Sequence, residues 1–275
     1  MDAALQRRIQ RYGWDRAAEY YEAFWSQQLS AVQQRLLALS ALSAGERVID
    51  IACGTGLVTR WAADRVGPSG VVVGTDLSQT MVDLASRRAP PNARFVRMDA
   101  EHLDFPDASF DAALSSLGLM YVPDTERAIT EMARVLAPGG RVLIAVWGTR
   151  HACGWADIFP IVDARVKSEV CPLFFRLGSA DALSREMTAS GLTDIQTERM
   201  TAPLRYETPE DALGAAFVGG PVAMAYSRFS DDVRTEVHAE YLASIAPYRD
   251  GEGYTIPGEF VVAAGSVRPS RGQHD

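Results

Sequence analysis

From residue 47 onward, short apolar runs alternate with stretches whose apolar positions recur at helical spacing. Arg47–Ala52 reads as a strand, and Gly54-Thr55-Gly56 opens a helical stretch through Arg65. Val71–Asp76 predicts a second strand, followed by Ser78 as the N-cap of a helix to Arg88. Phe95–Asp99 and Phe110–Ser116 predict the third and fourth strands. A helix from Thr125 to Leu136 stops at Pro138-Gly139-Gly140, and Arg141–Trp147 makes the fifth strand. This alternation specifies an α/β fold, Rossmann-like and doubly wound, with a mostly parallel sheet and right-handed crossovers.

The rhythm changes after Trp147. Residues 150–178 read as loop with a short helix, and Ala180–Ser190 as an amphipathic helix stopped by Gly191. Thr193–Tyr206 and Glu259–Val267 alternate or carry β-branched residues, so they close a seven-stranded sheet as an antiparallel pair. Between them lies a helical insertion in which Ala212–Ser227 forms a buried hairpin or lid, split at Gly219-Gly220-Pro221. Gly251, Gly253 and Pro257-Gly258 are candidate hinges. Two helical segments precede Ser43. The expected division is a helical cover over 1–42, a ligand-binding core over 43–149, and a cap segment over 150–178. A core helix and strand over 179–206, a cap insertion over 207–257, the last strand over 258–267 and a frayed tail over 268–275 complete it.

The chain has 275 residues and 29.9 kDa, enough for one α/β domain with additions. A formal net charge of -8 argues against nucleic acid and anionic membranes as partners and favours a small-molecule partner. The longest uncharged stretch is too short and too broken to span a membrane. Asp15, Glu19 and Glu22 within the first helix are unlike a leader segment, which leads to the expectation of a cytoplasmic protein. Cys53, Cys153 and Cys171 are odd in number and lack metal-type pairing, so a reducing compartment and no metal site are expected. Nothing in the pattern specifies an oligomeric state.

Chemistry concentrates in the loops after the strands. The turn Asp50-Ile-Ala-Cys53-Gly54-Thr55-Gly56 allows close backbone approach to a ligand, although Gly-x-Gly alone also fits an ordinary strand-to-helix turn. A dinucleotide site wants a third Gly where Thr59 stands, which disfavours NAD(P). Asp76 ends the second strand about 20 residues past Gly56, the spacing for an acid on ribose hydroxyls. Asp99 and Ala100 follow the third strand, where a carboxylate and a backbone N–H suit adenine. Three successive strand ends thus present suitable groups to one crevice.

These motifs, with the segments DAEHLDFPDASFDAALSS and EMARVLAPGGRVLIAVW, make residues 44–148 resemble the class I S-adenosylmethionine-dependent methyltransferases. Within them the chain looks most like the ubiquinone/menaquinone-type C-methyltransferase group. The resemblance implies S-adenosyl-L-methionine as cofactor. Gly54 and Gly56 would flank its methionine and ribose, with Asp50 at the loop or the amino group, and Asp76 would take the ribose hydroxyls. Asp99 and Ala100 would bracket adenine, Leu77 and Met81 would cover its faces, and Ser116 would sit near the sulfonium. Met120-Tyr121 stands where the quinone-type enzymes carry an Arg-Asn pair. The segment Trp14–Trp25 resembles the cofactor-covering first helix of that group. Its aromatics at 14, 21 and 25 share one face, with Tyr20 or Tyr21 offering a hydroxyl and Trp25 a wall.

Methyl transfer from a sulfonium is an in-line displacement governed by alignment and exclusion of water, and it requires no metal. A phenol or carbon acceptor profits from a base. His151, just past the fifth strand, and Tyr121, after the fourth, are the candidates, whereas His102, His238 and His274 read as solvated. Cys53 fits packing within the glycine turn. Aromatic residues of the cap, among them Trp155, Phe174 and Phe217, suit an apolar or aromatic small acceptor. A silent cofactor-binding partner or sensor protein, or less so an NAD(P)-dependent oxidoreductase, are the alternatives.

Overall fold

The computed structural model describes residues 3–167, 171 and 173–269. His274 and the end of the expected tail lie outside them. Helix α1 (Ala3–Leu39) precedes five strands and three helices: β1 (Arg47–Ile51), α2 (Leu57–Val66), β2 (Val71–Asp76), α3 (Gln79–Ser86), β3 (Ala93–Arg97), β4 (Phe110–Ser116), α4 (Thr125–Arg134) and β5 (Leu136–Trp147). Then come α5 (Ile158–Asp163), α6 (Ala182–Ala189), β6 (Thr193–Tyr206), α7 (Pro209–Leu213), α8 (Ala223–Tyr226), α9 (Asp231–Ile245), the two-residue β7 (Arg249–Asp250) and β8 (Gly253–Ser266).

Local chemistry sets the helix starts. The Ser78 hydroxyl accepts from the Met81 N–H and the Asp124 carboxylate from the Arg127 N–H, while Thr208 and Asp211 form a reciprocal capping box ahead of Pro209. The sheet has the order β3-β2-β1-β4-β5-β8-β6, with β7 paired to β8. It is parallel from β3 through β5, and β8 inserts antiparallel between β5 and β6. The α/β, mostly parallel Rossmann-like architecture is therefore present, with seven long strands and one short one. Val48, Ile49 and Ile51 in β1 and Val142 to Val146 in β5 are fully buried between helical layers. Each such aliphatic contributes about 1.5–3 kcal/mol relative to exposure.

Three local expectations change. First, residues 3–39 form one helix of 37 residues, about 55 Å long, in place of two segments. Gly13 costs about 1 kcal/mol in a helix, too little to break it, and it seats the Met224 side chain, whose Cβ lies 3.7 Å from where a Gly13 Cβ would be. Second, Pro138-Gly139-Gly140 does not end an element. It lies within β5, where the register against β4 slips between Phe110 and Ala112. Third, the last strand starts at Gly253, not Glu259, and pairs with β6 as far as Tyr206. Gly251, at φ 62°, turns the β7–β8 hairpin, and Gly253 passes so close to Tyr206 that a Cβ would stand 2.0 Å from its carbonyl oxygen. Pro257 and Gly258 pair across to Pro203 and Ala202 inside the ladder, so none of these is a free hinge.

Candidate active site

Strand order reverses between β1 and β4, and the carboxyl ends of these two strands open the crevice where open α/β sheets bind ligands. Both ends are strained. Ala52 has φ 56° and Leu117 φ 59°, a left-handed backbone that costs such residues about 1–3 kcal/mol and clusters at functional sites. Gly118 touches Ala52 so closely that a Cβ on it would lie 2.3 Å from the Ala52 Cβ. Gly54 and Gly56, at φ 55° and 79°, make the turn after β1.

Asp76 ties this turn to the next loop. Its Oδ2 accepts from the Gly54 N–H at 2.9 Å and its Oδ1 from the Ser78 N–H at 2.9 Å. Burial beneath α1 pushes its carboxyl up to about 6, against the pull of those two N–H groups. Asp50, at the end of β1, is only 1% exposed. Its Oδ2 accepts from the Thr59 hydroxyl at 2.6 Å, while its Oδ1 has no partner among the described residues. Burial pushes it up to about 7, with the Thr59 hydrogen bond opposing and Asp76 adding repulsion. The Ser116 hydroxyl at the end of β4 is likewise buried without a partner among the described residues. Two carboxyls held up by burial, one of them with an unused oxygen, favour a cationic ligand with hydrogen-bond donors.

Helix α1 roofs the crevice. Arg7, Gln10, Trp14, Tyr21, Trp25, Leu29 and Gln33 recur at helical spacing and all line one cavity with the strand ends. Three latches hold the roof. Arg7 pairs with Asp99 at 3.3 Å and with Glu101, Asp15 accepts from the Ser78 hydroxyl at 2.6 Å, and Glu22 accepts from Thr55 at 3.2 Å and Arg60 at 3.0 Å and pairs with Arg88. Trp14 meets Tyr21 and Tyr121 edge-on, with centroids 5.7 and 5.1 Å apart.

The cavity brings together Tyr21, Trp25, Asp50, Cys53, Gly54, Asp76, Leu77, Met81, Asp99, Ala100, Ser116 and Tyr121. Gly56 and His151 do not line it. Gly56 is instead the left-handed N-cap of α2, packed so that a Cβ would sit 2.6 Å from the Phe95 ring. His151 is corrected as a base candidate. After Trp147 turns into the aromatic core, Thr149 is fixed to Glu259 at 2.8 Å, and His151 is exposed, with Thr149 at 3.4 Å as its hydrogen-bonding neighbour among the described residues. Tyr121 lines the cavity, and burial, with Cys171 and Tyr21 adding, pushes its phenol well above the usual range, which suits a hydrogen-bond donor better than a base. Burial likewise keeps the Cys53 thiol neutral, in keeping with packing. Tyr20 is exposed, which leaves Tyr21 as the hydroxyl facing the cavity. His102 lies on Arg127 at 3.0 Å, whereas His238 is stacked on Tyr226 and hydrogen-bonded to its hydroxyl at 3.0 Å, half-buried and not solvated.

Sequence reasoning missed Arg7, Gln10, Gln33, Met98 and Leu117 on the cavity wall. The first three were findable as polar residues in helical register with the aromatic stripe. A second, smaller chamber adjoins the first beyond Trp14, Tyr21, Trp25 and Tyr121. Trp147, Trp155, Phe174 and the Gly220-Pro221 turn close it, and among the described residues no charged one lines it.

Residues 49–144 match the family described as Methyltransferase domain. The matched segment runs from β1 into β5, the strands that build the crevice, so that segment is similar to a methyltransferase domain and the sheet is consistent with the class I methyltransferase fold. The chain is 44% identical over 111 residues to the ubiquinone/menaquinone biosynthesis C-methyltransferase UbiE of Ectopseudomonas mendocina, a match covering 38% of this chain and 43% of that one. The counterpart in Pseudomonas fluorescens is 43% identical over the same length. The chain thus spans less than half the length of these relatives. Among solved structures, YcgJ of Bacillus subtilis shares the fold at TM-score 0.58 and 20% identity, covering 87% of this chain and 99% of that one. Phosphoethanolamine N-methyltransferase 2 of Haemonchus contortus, solved with S-adenosyl-L-methionine, aligns at TM-score 0.59 and 21% identity, covering 93% of this chain and 57% of that one. The [4+2]-cyclase SpnF aligns at TM-score 0.54 and 22% identity, covering 90% and 84%.

Proposed function

We propose that this chain is an enzyme that transfers a methyl group from S-adenosyl-L-methionine to O, N or C of a small, largely apolar or aromatic acceptor. The observation that carries this reading is one roofed cavity whose acidic strand ends hold unused hydrogen-bonding capacity among the described residues and which shares an aromatic wall with a smaller chamber. In this assignment Asp76 takes the ribose hydroxyls with the oxygen lone pairs left after Gly54 and Ser78. Asp50, through its free Oδ1, takes the methionine ammonium; Asp99 and Ala100 meet the adenine edge; Leu77 and Met81 lie on its faces.

When bound, the cofactor supplies an electrophilic methyl carbon on a positively charged sulfonium. The chain's part is to exclude water, orient the acceptor and keep the developing charges in a dry site. Helix α1 excludes water, with its latches to Asp99, Ser78 and Thr55 holding it down. Tyr21 and Tyr121 offer phenolic donors that stay protonated at neutral pH, so they position an acceptor and do not remove its proton. An acceptor that needs deprotonation therefore arrives ionised or gives its proton to water or to a carboxylate of the site.

Calorimetric titration tests the reading. Wild-type protein is expected to bind S-adenosyl-L-methionine, and Asp76→Ala to weaken binding about 10- to 150-fold, the equivalent of about 1.5–3 kcal/mol for lost bonds to a charged group. Wild-type protein without detectable affinity, or Asp76→Ala with unchanged affinity, overturns it.

A further inference from the structure

Of the three latches on the roof, only the one at Arg7 engages a side chain given to the cofactor's base. Arg7 sits in the second turn of α1 and lines the cavity beside Met98, Asp99 and Ala100. Its Nε lies 3.3 Å from Asp99 Oδ2, and its Nη2 donates to Glu101 Oε2. Glu101 is 1% exposed, and its other oxygen accepts from the Asp124 N–H at 3.1 Å, at the N-cap of α4. Asp99 Oδ1 accepts from the Glu101 N–H at 3.0 Å, and the Asp99 carbonyl accepts from the His102 N–H at 3.0 Å. Two carboxylates two residues apart thus share one guanidinium, and among the described residues no other basic side chain pairs with either.

We infer that Arg7 is a positioning residue for base recognition: it holds the Asp99 carboxylate in the orientation that receives the exocyclic amine of adenine. This rests on the reading of the chain as an S-adenosyl-L-methionine enzyme with Asp99 at the adenine edge. The His102 bond fixes the Asp99 backbone, but the plane of its carboxylate is set by the Glu101 N–H on one oxygen and Arg7 on the other. A carboxylate offers about four lone-pair sites, so both oxygens keep capacity for an amine N–H. Without Arg7, Asp99 and Glu101 stand close with no counter-charge, and like charges at that range repel. Glu101 is buried and tied to α4, whereas the Asp99 side chain is 27% exposed, so Asp99 is the member that swings to water. Arg7 therefore reaches the ligand through the direction of another side chain. A latch that only held the roof down would serve every occupant of the cavity alike, whereas a residue that aims Asp99 serves those that carry the amine.

Titration calorimetry with S-adenosylhomocysteine and with its 6-deamino purine analogue, which lacks only the exocyclic amine, tests this. On wild-type protein the analogue should bind about 10- to 150-fold more weakly, the loss of one hydrogen bond to a charged group. In Arg7→Gln that gap should narrow about threefold or more, as expected for members of one charged network. Arg7→Lys keeps a charge beside Glu101 and with it the fold, but a point charge replaces the planar fork that serves two carboxylates, so the gap should narrow there as well. Glu22→Gln, which loosens the roof at another latch, should weaken both ligands equally and leave the gap at its wild-type width. A gap that is unchanged or wider in the Arg7 variants, or that narrows as much in Glu22→Gln, overturns the inference while S-adenosylhomocysteine binding stands. Wild-type protein that binds the two ligands equally overturns the place of Asp99 and the inference with it. Wild-type protein that binds neither overturns the methyltransferase reading on which both rest.

Discussion

Replacing Asp50 by Asn should make the free protein more stable and the cofactor complex weaker, two effects of opposite sign from one atom change. The unfolded carboxyl titrates near 3.8, whereas burial in the folded chain pushes it up to about 7. Between those values the folded state keeps a proton that the unfolded state has released. Stability therefore falls as pH rises from about 4 to 7 and is flat above, where Asp50 is charged in both states. At about 1.4 kcal/mol per pH unit, keeping Asp50 ionised at pH 8 costs the free fold at most about 4 kcal/mol. Asn retains an oxygen for the Thr59 hydroxyl at the same place and removes the charge. At about 2–4 °C per kcal/mol for a chain of this size, Tm of Asp50→Asn at pH 8 should rise by several degrees, with the gain shrinking toward zero near pH 4. Affinity for S-adenosyl-L-methionine should drop about 10- to 150-fold, because a charge-assisted hydrogen bond to its ammonium contributes about 1.5–3 kcal/mol. Differential scanning calorimetry across pH and titration calorimetry at pH 8 measure the two. A lower Tm at pH 8, or an unchanged cofactor affinity, refutes the assignment of Asp50.

Three further outcomes follow from the site. Gly118→Ala drives a methyl group to within 2.3 Å of the Ala52 Cβ, two atoms fixed to rigid strand ends, so stability should fall by about 1–3 kcal/mol in urea denaturation. Glu22 lies below the usual carboxylate range, with burial opposing and Arg60 and Arg88 prevailing. Glu22→Gln should therefore loosen the roof by about 1 kcal/mol and speed cofactor dissociation several-fold in stopped-flow release. His151→Ala should leave cofactor affinity and turnover within twofold, and a larger loss would restore His151 as a base.

Much of this was legible because the core repeats a simple rule. Val71–Asp76 and Phe110–Ser116 are strands with the residues that periodicity names, and Ser78 caps α3 as its hydroxyl chemistry demands. The acids that line the cavity were readable from their places at strand ends, since a parallel sheet sends every such end to one edge. Longer-range partners were not. His151 counts as close to the crevice in sequence, but the Glu259 anchor on Thr149, 110 residues away, turns the chain outward. Nor was the continuity of α1 readable locally, since Gly13 in its interior packs beside Met224, far along the chain. The chamber is assembled from α1, the segment after β4, the end of β5, the segment after β5 and the Gly220-Pro221 turn, and no local pattern announces that these five pieces meet.

The roof helix also sets a thermodynamic bargain between order and occupancy. Leu29, Val32, Leu36 and Leu37 root its last turns in the core, and its first turns hold the fold through the latches over the cavity and through the packing of Gly13 beside Met224 and Trp14 on Tyr121. Whatever free energy a ligand gains from a closed N-terminal half, that half gains from the ligand, because linkage is reciprocal. Loss of the first two turns should thus be felt as weaker binding, and saturation with cofactor as slower amide exchange at residues 3–22. The first turns of α1 and the occupant of the cavity should therefore stabilise one another.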